Sequence, residues 1–261
     1  MDEWRGKWAL VTGASAGIGW AIAAELAAGG SNLVLTARRR ERLEELAAEL
    51  RSRHKVSVEI LAADLARSSA AGEIFSFTQG KGIAVELLVN NAGFGAYGEF
   101  AKLDVARQLA MVQVNVAAVL HLTHLYLPAM IERRRGDILI VASTAAFQAV
   151  PYISTYAATK AFDLLLAEAL AEEVRHWGIR VCALCPGSTA TEFHQVAGEP
   201  GHTKRRQESA EKVARVGLRA LARGKSYVIS GLDNYLGTHG QRLAPRGLVT
   251  RVAGRMFRPA K

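Results

Sequence analysis

A serine, a tyrosine and a lysine stand at spacings that could form a reaction centre: Ser143, Tyr156 and Lys160. On a helix, residues four apart lie on one face, so Lys160 would reach the Tyr156 ring and stabilise its phenolate. A neighbouring cation lowers the pKa of tyrosine from about 10 toward the range where the phenol exchanges protons. Ser143 would orient a substrate oxygen. A bare Tyr-x-x-x-Lys also occurs in helices that only present solvated side chains, so this spacing alone leaves both interpretations open.

A glycine-rich turn follows the first apolar run of the chain. Residues 7–12 read as a short buried strand, and Gly13 to Gly19 continue with the spacing Gly-x-x-x-Gly-x-Gly into an alanine-rich helix. Gly13 permits the tight turn, while Gly17 and Gly19 let the backbone approach a pyrophosphate and let the helix pack on the strand. The helix N-terminus offers free N–H groups and the positive end of its dipole. The turn therefore predicts a dinucleotide site.

Apolar strand candidates alternate with helical segments along the chain. The predicted strands are Trp8–Thr12, Asn32–Thr36, Val56–Leu61, Leu87–Asn90, Asp137–Ala142, Arg180–Leu184 and Ser226–Ile229. The predicted helices are Gly17–Ala28, Arg40–Arg51, Ser68–Phe77, Leu103–Glu132, Thr155–Trp177 and Glu208–Leu221. The alternation predicts an α/β fold, a doubly wound parallel sheet in a three-layer αβα Rossmann arrangement. Half of the 261 residues are hydrophobic and no linker divides them, so we expect a single domain over residues 1–261.

The ordered motifs resemble those of the short-chain dehydrogenase/reductase family, over about residues 7–231. The residues that carry the resemblance are Thr12 to Gly19, Asp64, Asn90 to Gly93, Asn115, Ser143, Tyr156, Lys160, Pro186, Gly187 and Thr191. The resemblance implies hydride transfer between a nicotinamide and a ketone or secondary alcohol, with Tyr156 exchanging the proton on oxygen. It implies that Lys160 also bonds the nicotinamide ribose, that Ser143 bonds the carbonyl oxygen, and that Asn115 supports a water relay to Lys160.

Two sets of site residues follow from the motifs. The predicted catalytic residues are Asn115, Ser143, Tyr156 and Lys160. The predicted cofactor-binding residues are Gly13, Ser15, Gly17, Ile18, Gly19, Arg38, Arg39, Asp64, Asn91, Gly93, Tyr156, Lys160, Pro186, Gly187 and Thr191. No metal site is predicted, because the paired His121 and His124 have no third ligand that the sequence can place.

The end of the second predicted strand favours NADP(H) over NAD(H). An NAD site usually has an acidic residue about 20 positions beyond the glycines, and Ala37 occupies that region here. Arg38 supplies a guanidinium suited to a ribose 2′-phosphate, with Arg39 as a second contact. The same arginines are consistent with the solvated start of a helix, and Ala16 stands where NADP-preferring relatives often carry a basic residue. Asp64 resembles the family's adenine-contacting aspartate, but as a bare residue it could equally cap a helix.

The net charge of +9 is concentrated toward the C-terminal end. Residues 201–261 carry 14 basic and 3 acidic side chains, and the first 200 residues are slightly acidic overall. The apolar residues of the C-terminal tail (residues 240–261) fall on one helical face: Leu248, Val249, Val252, Met256 and Phe257. Such a basic helix can lie on an anionic membrane surface, but we favour the interpretation that it covers a neighbouring subunit or its own domain. Nucleic-acid binding is not predicted, because interleaved aromatic residues are lacking.

The sequence predicts the substrate only as a class. Residues 188–210 lie where the family places a variable lid segment, and Gly93 to Gly98 include two aromatic residues suited to an apolar ketone pocket. We therefore expect an apolar keto substrate, 3-ketoacyl or steroid-like. One alternative is a sensing or interaction protein that binds NADPH without turnover. The other is a nucleotide-sugar epimerase, which usually has a different glycine spacing and a larger substrate domain.

Three further expectations concern the whole molecule. The predicted helices 103–132 and 155–177 carry apolar runs through which relatives form dimers and tetramers, so a homo-oligomer is expected. A cytoplasmic location is expected, because the first residues lack an apolar signal region and no stretch of 18 uncharged apolar residues is present. Cys182 and Cys185 are expected to be buried, since residues three apart in a strand point to opposite faces.

Overall fold

Seven parallel strands form one sheet. In the computed structural model, which describes residues 2–198 and 207–259, they are β1 Trp8–Thr12, β2 Asn32–Ala37, β3 Val58–Ala62, β4 Val85–Asn90, β5 Gly136–Val141, β6 Ile179–Cys185 and β7 Tyr227–Ile229. Their order in the sheet is β3-β2-β1-β4-β5-β6-β7. The strand order reverses between β1 and β4, where doubly wound folds bind their ligands. All seven predicted strands are present, and the predicted fold class is confirmed.

Helices cover both faces of the sheet. They are α1 Gly17–Ala28, α2 Arg40–His54, α3 Ala70–Gly80, α4 Val105–Val112, α5 Ala118–Glu132, α6 Ser154–Glu173, α7 Phe193–Ala197, α8 Ala210–Ala222, α9 Leu232–Gly240 and α10 Arg246–Met256. On one face α1 and α8 bury Ile22 and Leu218 against the sheet. On the other face α3 and α6 bury Ile74 and Leu164. The two apolar layers make the predicted three-layer single domain.

The two cysteines lie on opposite faces of β6, as expected from their spacing. Cys182 packs in the apolar layer under α1 and α8, and Cys185 packs in the layer under α3 and α6. Both are free and fully buried. Burial raises the pKa of the Cys182 thiol to about 12. These thiols therefore fill the core and form neither a redox pair nor a metal site.

The long helix predicted for residues 103–132 begins at Val105 and is interrupted by a π-helical turn, Gln113–Ala117, between α4 and α5. Asp104 caps its start, because the Asp104 side chain accepts a hydrogen bond from the backbone N–H of Ala106. By length and composition this helix could cross a membrane, a test that core helices also pass. Here α5 lies against the sheet with one face buried.

The tail forms α10, and only part of the predicted apolar face packs. Leu248, Val252 and Met256 are 50%, 47% and 60% exposed, whereas Ala253 is buried and Gly254 lies against Pro151. Phe257, which belongs to the predicted face, packs beside Ala253 against the domain. The helix therefore covers its own domain through one edge of the predicted face and two small residues next to it.

Part of the predicted lid segment has a defined structure. Its base is a short parallel bridge between Thr189 and Glu208. The Glu208 N–H donates to Ser188 O at 3.0 Å, and the Ala190 N–H donates to Glu208 O at 2.9 Å. Above this base the chain forms α7, and residues 199–206 lie outside the described part. This bridge holds the two ends of the lid segment together just after β6.

Candidate active site

Ser143, Tyr156 and Lys160 meet at one cavity of about 480 Å³ at the carboxyl edge of the sheet. Ser143 lies two residues past the end of β5, and its Oγ accepts a hydrogen bond of 3.1 Å from the N–H of Ala145. Tyr156 and Lys160 lie on α6, one turn apart. The sequence predicted this grouping, and the geometry brings all three side chains to the same space.

Lys160 is held inside the protein by two acceptors. Its Nζ donates a 2.7 Å hydrogen bond to the carbonyl oxygen of Val141 and a 2.9 Å bond to Oδ2 of Asp163. Burial alone would lower the pKa of Lys160, but Asp163 and Tyr156 outweigh it and the pKa is raised. Sequence reasoning missed Asp163, because an acidic residue in a helix gives no sign of burial. The ammonium ion is thus retained in a fully buried place.

Asn115 sits in the π-helical turn and does not line the cavity. Its side chain is fully buried, accepts from Phe94 N at 3.1 Å and donates to Phe94 O at 3.0 Å. It also donates to Thr159 Oγ1 at 3.0 Å. The π turn widens the helix at this residue, a feature common at functional sites. Asn115 therefore connects the loop after β4 to the helix that carries Tyr156 and Lys160, and its predicted part in a water relay to Lys160 stays a prediction.

The glycine turn joins β1 to α1 in close contact with the end of β4. Gly13 has a φ of +66°, and a Cβ there would lie 2.8 Å from Asn91 Nδ2. A Cβ on Gly19 would overlap Gly13 O and the Asn91 side chain. Asn91 Nδ2 donates to Thr12 O at 2.8 Å, so its amide is used to hold the turn. These residues lie together as predicted, with Gly19 behind the cavity wall and Gly13 and Asn91 on it.

The start of α1 faces the cavity without a side-chain cap. Ala16 occupies the capping position and makes no side-chain hydrogen bond to the helix. Ser15, Gly17 and Ile18 line the cavity beside it. A Cβ on Gly17, whose φ is +57°, would come within 3.0 Å of Thr191. The first turn of α1 thus leaves backbone N–H groups free to bind an anion. Only glycine fits at position 17, where the turn lies closest to Thr191.

The charged residues predicted to bind the cofactor lie at the same end of the cavity but have different hydrogen-bond and ion-pair partners. Arg38 and Asp64 both line it, and the Asp64 carboxylate accepts from Ala66 N at 3.0 Å. Arg39 donates to Ser15 Oγ and forms a 3.0 Å ion pair with Glu192 of the lid segment. Both arginines line the cavity, and Arg39 also ties the lid segment to the glycine turn.

The remaining predicted residues close the opposite wall. Pro186, Gly187 and Thr191 line the cavity after β6, and the Thr144 N–H donates to Pro186 O at 3.0 Å. Gly93 lines it after β4, where a Cβ would lie 3.4 Å from Lys160 Nζ. The roles of all these residues toward a cofactor stay predictions, but their positions are mutually consistent.

Aromatic and aliphatic side chains surround Tyr156. The Phe193 ring lies 5.1 Å from the Tyr156 ring, and Phe257 reaches the cavity from the end of α10. Arg107 stacks over Phe94 and donates to Val196 O, which holds α7 over the site. Sequence reasoning singled out Phe94 but missed Phe193 and Phe257. For Phe193, the signal was its place two residues after Thr191 in the expected lid.

Similarity to known proteins agrees with this geometry. A very-long-chain 3-oxoacyl-CoA reductase of Bos taurus is 33% identical over 237 residues, covering 89% of this chain and 75% of that protein. A short-chain dehydrogenase from Sphingobium yanoikuyae, solved in complex with NADPH, matches with a TM-score of 0.84 and 30% identity over 93% of this chain and 95% of that one. A 7beta-hydroxysteroid dehydrogenase structure matches with a TM-score of 0.88 and 28% identity over 97% and 98%.

The family itself follows from a direct match. Residues 7–200, which include the glycine turn and the three clustered catalytic candidates, match the model of the short chain dehydrogenases. Together with the sheet order and the cavity at the carboxyl edge of the strands, this match identifies the chain as an oxidoreductase of the short-chain dehydrogenase family.

Proposed function

We propose that this protein is an NADPH-dependent reductase of apolar ketones. The observation that carries the proposal is the meeting of Ser143, Tyr156 and Lys160 at the cavity that the glycine turn also lines. One end of that cavity has an uncapped helix start and an arginine, and the other end is apolar. A dinucleotide and a ketone would therefore lie end to end, with the reactive side chains between them.

The residues present fit a nicotinamide dinucleotide. The α1 N-terminus offers N–H groups to a pyrophosphate, and Gly13 and Gly17 let the turn before it pack closely against Asn91 and Thr191. Arg38 supports the phosphorylated cofactor, because a guanidinium pairs with a 2′-phosphate and the three residues that follow β2 are all arginines. When bound, NADPH would supply the hydride that adds to the carbonyl carbon. The Sphingobium yanoikuyae relative, which was solved with NADPH, is consistent with this choice.

The side chains then complete the reduction. In this proposal Ser143 donates a hydrogen bond to the substrate oxygen, where negative charge develops. Tyr156 gives its phenolic proton to that oxygen, so the carbonyl becomes an alcohol. Lys160 stabilises the tyrosinate that remains, since its ammonium ion is one helical turn away. Asn115 supports this pair by holding Thr159 on the same helix.

The substrate end favours an apolar ketone. Phe94, Ile153, Phe193, Val196 and Phe257 line this part of the cavity. Burial of such surface favours binding by roughly 25 cal/mol for each Å² of apolar area. A 3-ketoacyl thioester and a steroid ketone both present a long apolar body beside one carbonyl. The named relatives, a 3-oxoacyl-CoA reductase and a hydroxysteroid dehydrogenase, support these two classes as the first to test.

The test is loss of nicotinamide absorbance with NADPH, and separately with NADH, across aliphatic, aromatic, 3-ketoacyl and steroid ketones. We expect turnover with NADPH on one apolar class. Tyr156→Phe is the matched control, because it keeps the ring and removes the proton, and it should lower kcat by about 100-fold to 10,000-fold. Tight NADPH binding without turnover on any ketone would replace the proposal with the sensing alternative.

We also propose that the protein is a homo-oligomer. Five large apolar side chains on and beside α4, α5 and α6 are about half to two-thirds exposed: Phe100, Val105, Leu109, Leu120 and Leu165. Large apolar side chains exposed on neighbouring helices are often covered by a second subunit. Sedimentation of the protein and of Leu109→Glu decides the point, since a charge in the interface should lower the mass. A wild-type monomer would reject it.

A further inference from the structure

An aspartate outside the motifs of the family resemblance lies beside the catalytic lysine. Asp163 stands three residues after Lys160 on α6, and its side chain is fully buried. Asp163 Oδ2 accepts a 2.9 Å hydrogen bond from Lys160 Nζ, which also donates to Val141 O at the end of β5. Lys160 therefore holds one carboxylate and one carbonyl, both inside the protein.

Packing alone does not explain a carboxylate at this position. Replacing a buried ion pair with apolar side chains is often neutral or stabilising, because a buried charge loses its solvation. The second oxygen, Asp163 Oδ1, has no hydrogen-bond partner among the residues that the structure describes, which adds to the cost. An apolar side chain between α6 and the sheet would avoid both penalties. The carboxylate is better explained by its effect on Lys160.

That effect is electrostatic. The raised pKa of Lys160 keeps the side chain charged, although burial opposes this and Asp163 and Tyr156 overcome it. A lone ammonium ion beside a phenol favours the phenolate. An ammonium ion paired with a carboxylate at 2.9 Å presents much less net charge, so the phenolate loses part of that stabilisation. Asp163 thus opposes the action of Lys160 on Tyr156.

Other titratable groups around the pair do not replace this action. Cys185 at the end of β6 has a thiol whose pKa is raised by burial, so the thiol is neutral. Glu168 lies further along α6 and acts on Cys185. The loop after β4, the π-helical turn and β5 present Gly93, Asn115 and the Val141 carbonyl, none of which carries a charge. Asp163 is the acidic side chain that contacts Lys160.

We propose that Asp163 is a positioning residue that holds the Lys160 ammonium ion and keeps Tyr156 in its protonated, proton-donating form near neutral pH. Ketone reduction needs the protonated phenol as an acid, whereas alcohol oxidation needs the phenolate as a base. Asp163 therefore biases the site toward reduction. The effect on the reduction rate rests on the proposed function. The effect on the ionisation of Tyr156 does not, because it depends only on side chains of this protein.

The test measures the ionisation of Tyr156 directly. Tyrosinate absorbance is followed as the pH rises in the protein without cofactor, and the trace of the matching Tyr156→Phe protein is subtracted. The variants are Asp163→Asn, which removes the charge at constant shape, and Asp163→Glu, which keeps it. Glu168→Gln is the matched control, because it removes one negative charge from the same helix away from Lys160.

We expect Asp163→Asn to lower the midpoint of Tyr156 ionisation by about one pH unit or more. Asp163→Glu should keep the midpoint near that of the wild type, and Glu168→Gln should leave it unchanged. In ketone reduction, the rate of Asp163→Asn should fall at a correspondingly lower pH as the pH rises, since less Tyr156 is protonated. A midpoint in Asp163→Asn that equals the wild-type value would overturn the proposal.

Two outcomes separate this inference from the proposed function. If the wild type reduces no ketone, the proposed function fails, while the absorbance titration still decides the role of Asp163. If Asp163→Asn does not fold, Asp163→Ser takes its place, because the smaller side chain leaves room for water beside Lys160. A shifted midpoint with Asp163→Ser supports the proposal, and an unshifted one rejects it.

Discussion

The two ends of the cavity are built in different ways. At the glycine turn, the Thr12 Oγ1 atom accepts from the N–H groups of both Asn91 and Ala92, so a side chain at the end of β1 binds the backbone that follows β4. At the aromatic end, Phe193 comes from a helix of five residues and Phe257 from just past the end of α10. The sheet thus fixes the dinucleotide end, while short peripheral helices shape the substrate end. Substitutions should change cofactor use at the first end and substrate use at the second.

Among the substitutions that compare the two ends, Gly19→Ala is expected to have the largest effect. A Cβ at Gly19 would overlap Gly13 O and Asn91, so the turn must shift against two strands. A displacement of about 1 Å at a binding site can cost about 100-fold, and we expect a rise of that size in the NADPH Kd. Gly72→Ala on α3 is the control, because its Cβ would meet no atom within 4 Å. Tight NADPH binding by Gly19→Ala would contradict a rigid dinucleotide end.

Arg38→Ala should come next. A hydrogen bond to a charged group contributes about 1.5–3 kcal/mol, so losing the 2′-phosphate contact should raise the KM for NADPH by about 10-fold to 100-fold. The KM for NADH should stay the same, because NADH lacks that phosphate. Arg40→Ala is the control, since Arg40 pairs with Glu44 on α2 and does not line the cavity. Equal changes for both cofactors would remove Arg38 from the phosphate site.

Phe193→Ala should act on the substrate end alone. The variant removes the ring that packs on Tyr156, and we expect kcat/KM for an apolar ketone to fall by about 10-fold. The NADPH Kd should change little. Tyr235→Ala on α9 removes an aromatic ring that does not line the cavity, and it serves as the reference for steady-state assays. A larger change in NADPH affinity than in ketone kinetics would show that the two ends are not separable.

The smallest effect should come from Glu192→Gln, which breaks the ion pair between the ends. Arg39 and Glu192 are each about half exposed, and such pairs contribute roughly 0.2–1 kcal/mol. The variant should bind NADPH more tightly by at most about 5-fold, because the Arg39 guanidinium is no longer paired with a carboxylate and is available to the cofactor phosphate. Glu44→Gln, in another exposed ion pair, is the comparison for fluorescence titration with NADPH. Weaker NADPH binding would mean that Glu192 orders the lid instead of competing for Arg39.

The same contrast explains what could be predicted from the sequence. The bounds of α1 and the positions of all seven strands follow from local patterns, because a parallel sheet covered on both faces requires continuous apolar runs. The glycines and the Tyr156 and Lys160 pair were recognisable since their spacing is short and fixed by the backbone. These features all belong to the sheet and the helices packed directly on it.

The features that were missed depend on tertiary contacts. Nothing local marks Asp163 as buried, because aspartate in a helix usually faces water. The tail was expected to pack through Leu248, Val249, Val252, Met256 and Phe257, but three of these side chains are exposed and Ala253 and Gly254 contact the domain instead. Large apolar residues predict burial on average, and here two small residues share the contact with Phe257. For the aromatic end, the sequence predicted the lid segment and the loop after β4, but not that Phe193 and Phe257 line the cavity.

The two buried thiols give this protein a built-in reporter of integrity. Cys182 and Cys185 are the only cysteines in the chain, and both lie in β6, between β5 and β7, with no exposed surface. An alkylating reagent can reach them only when the sheet opens, so the labelling rate measures the opening free energy. Each variant can be checked by mass after a timed alkylation, without a second structural method. An inactive variant whose thiols stay unlabelled is folded and has a catalytic or binding defect. An inactive variant whose thiols are labelled quickly has lost its folded structure.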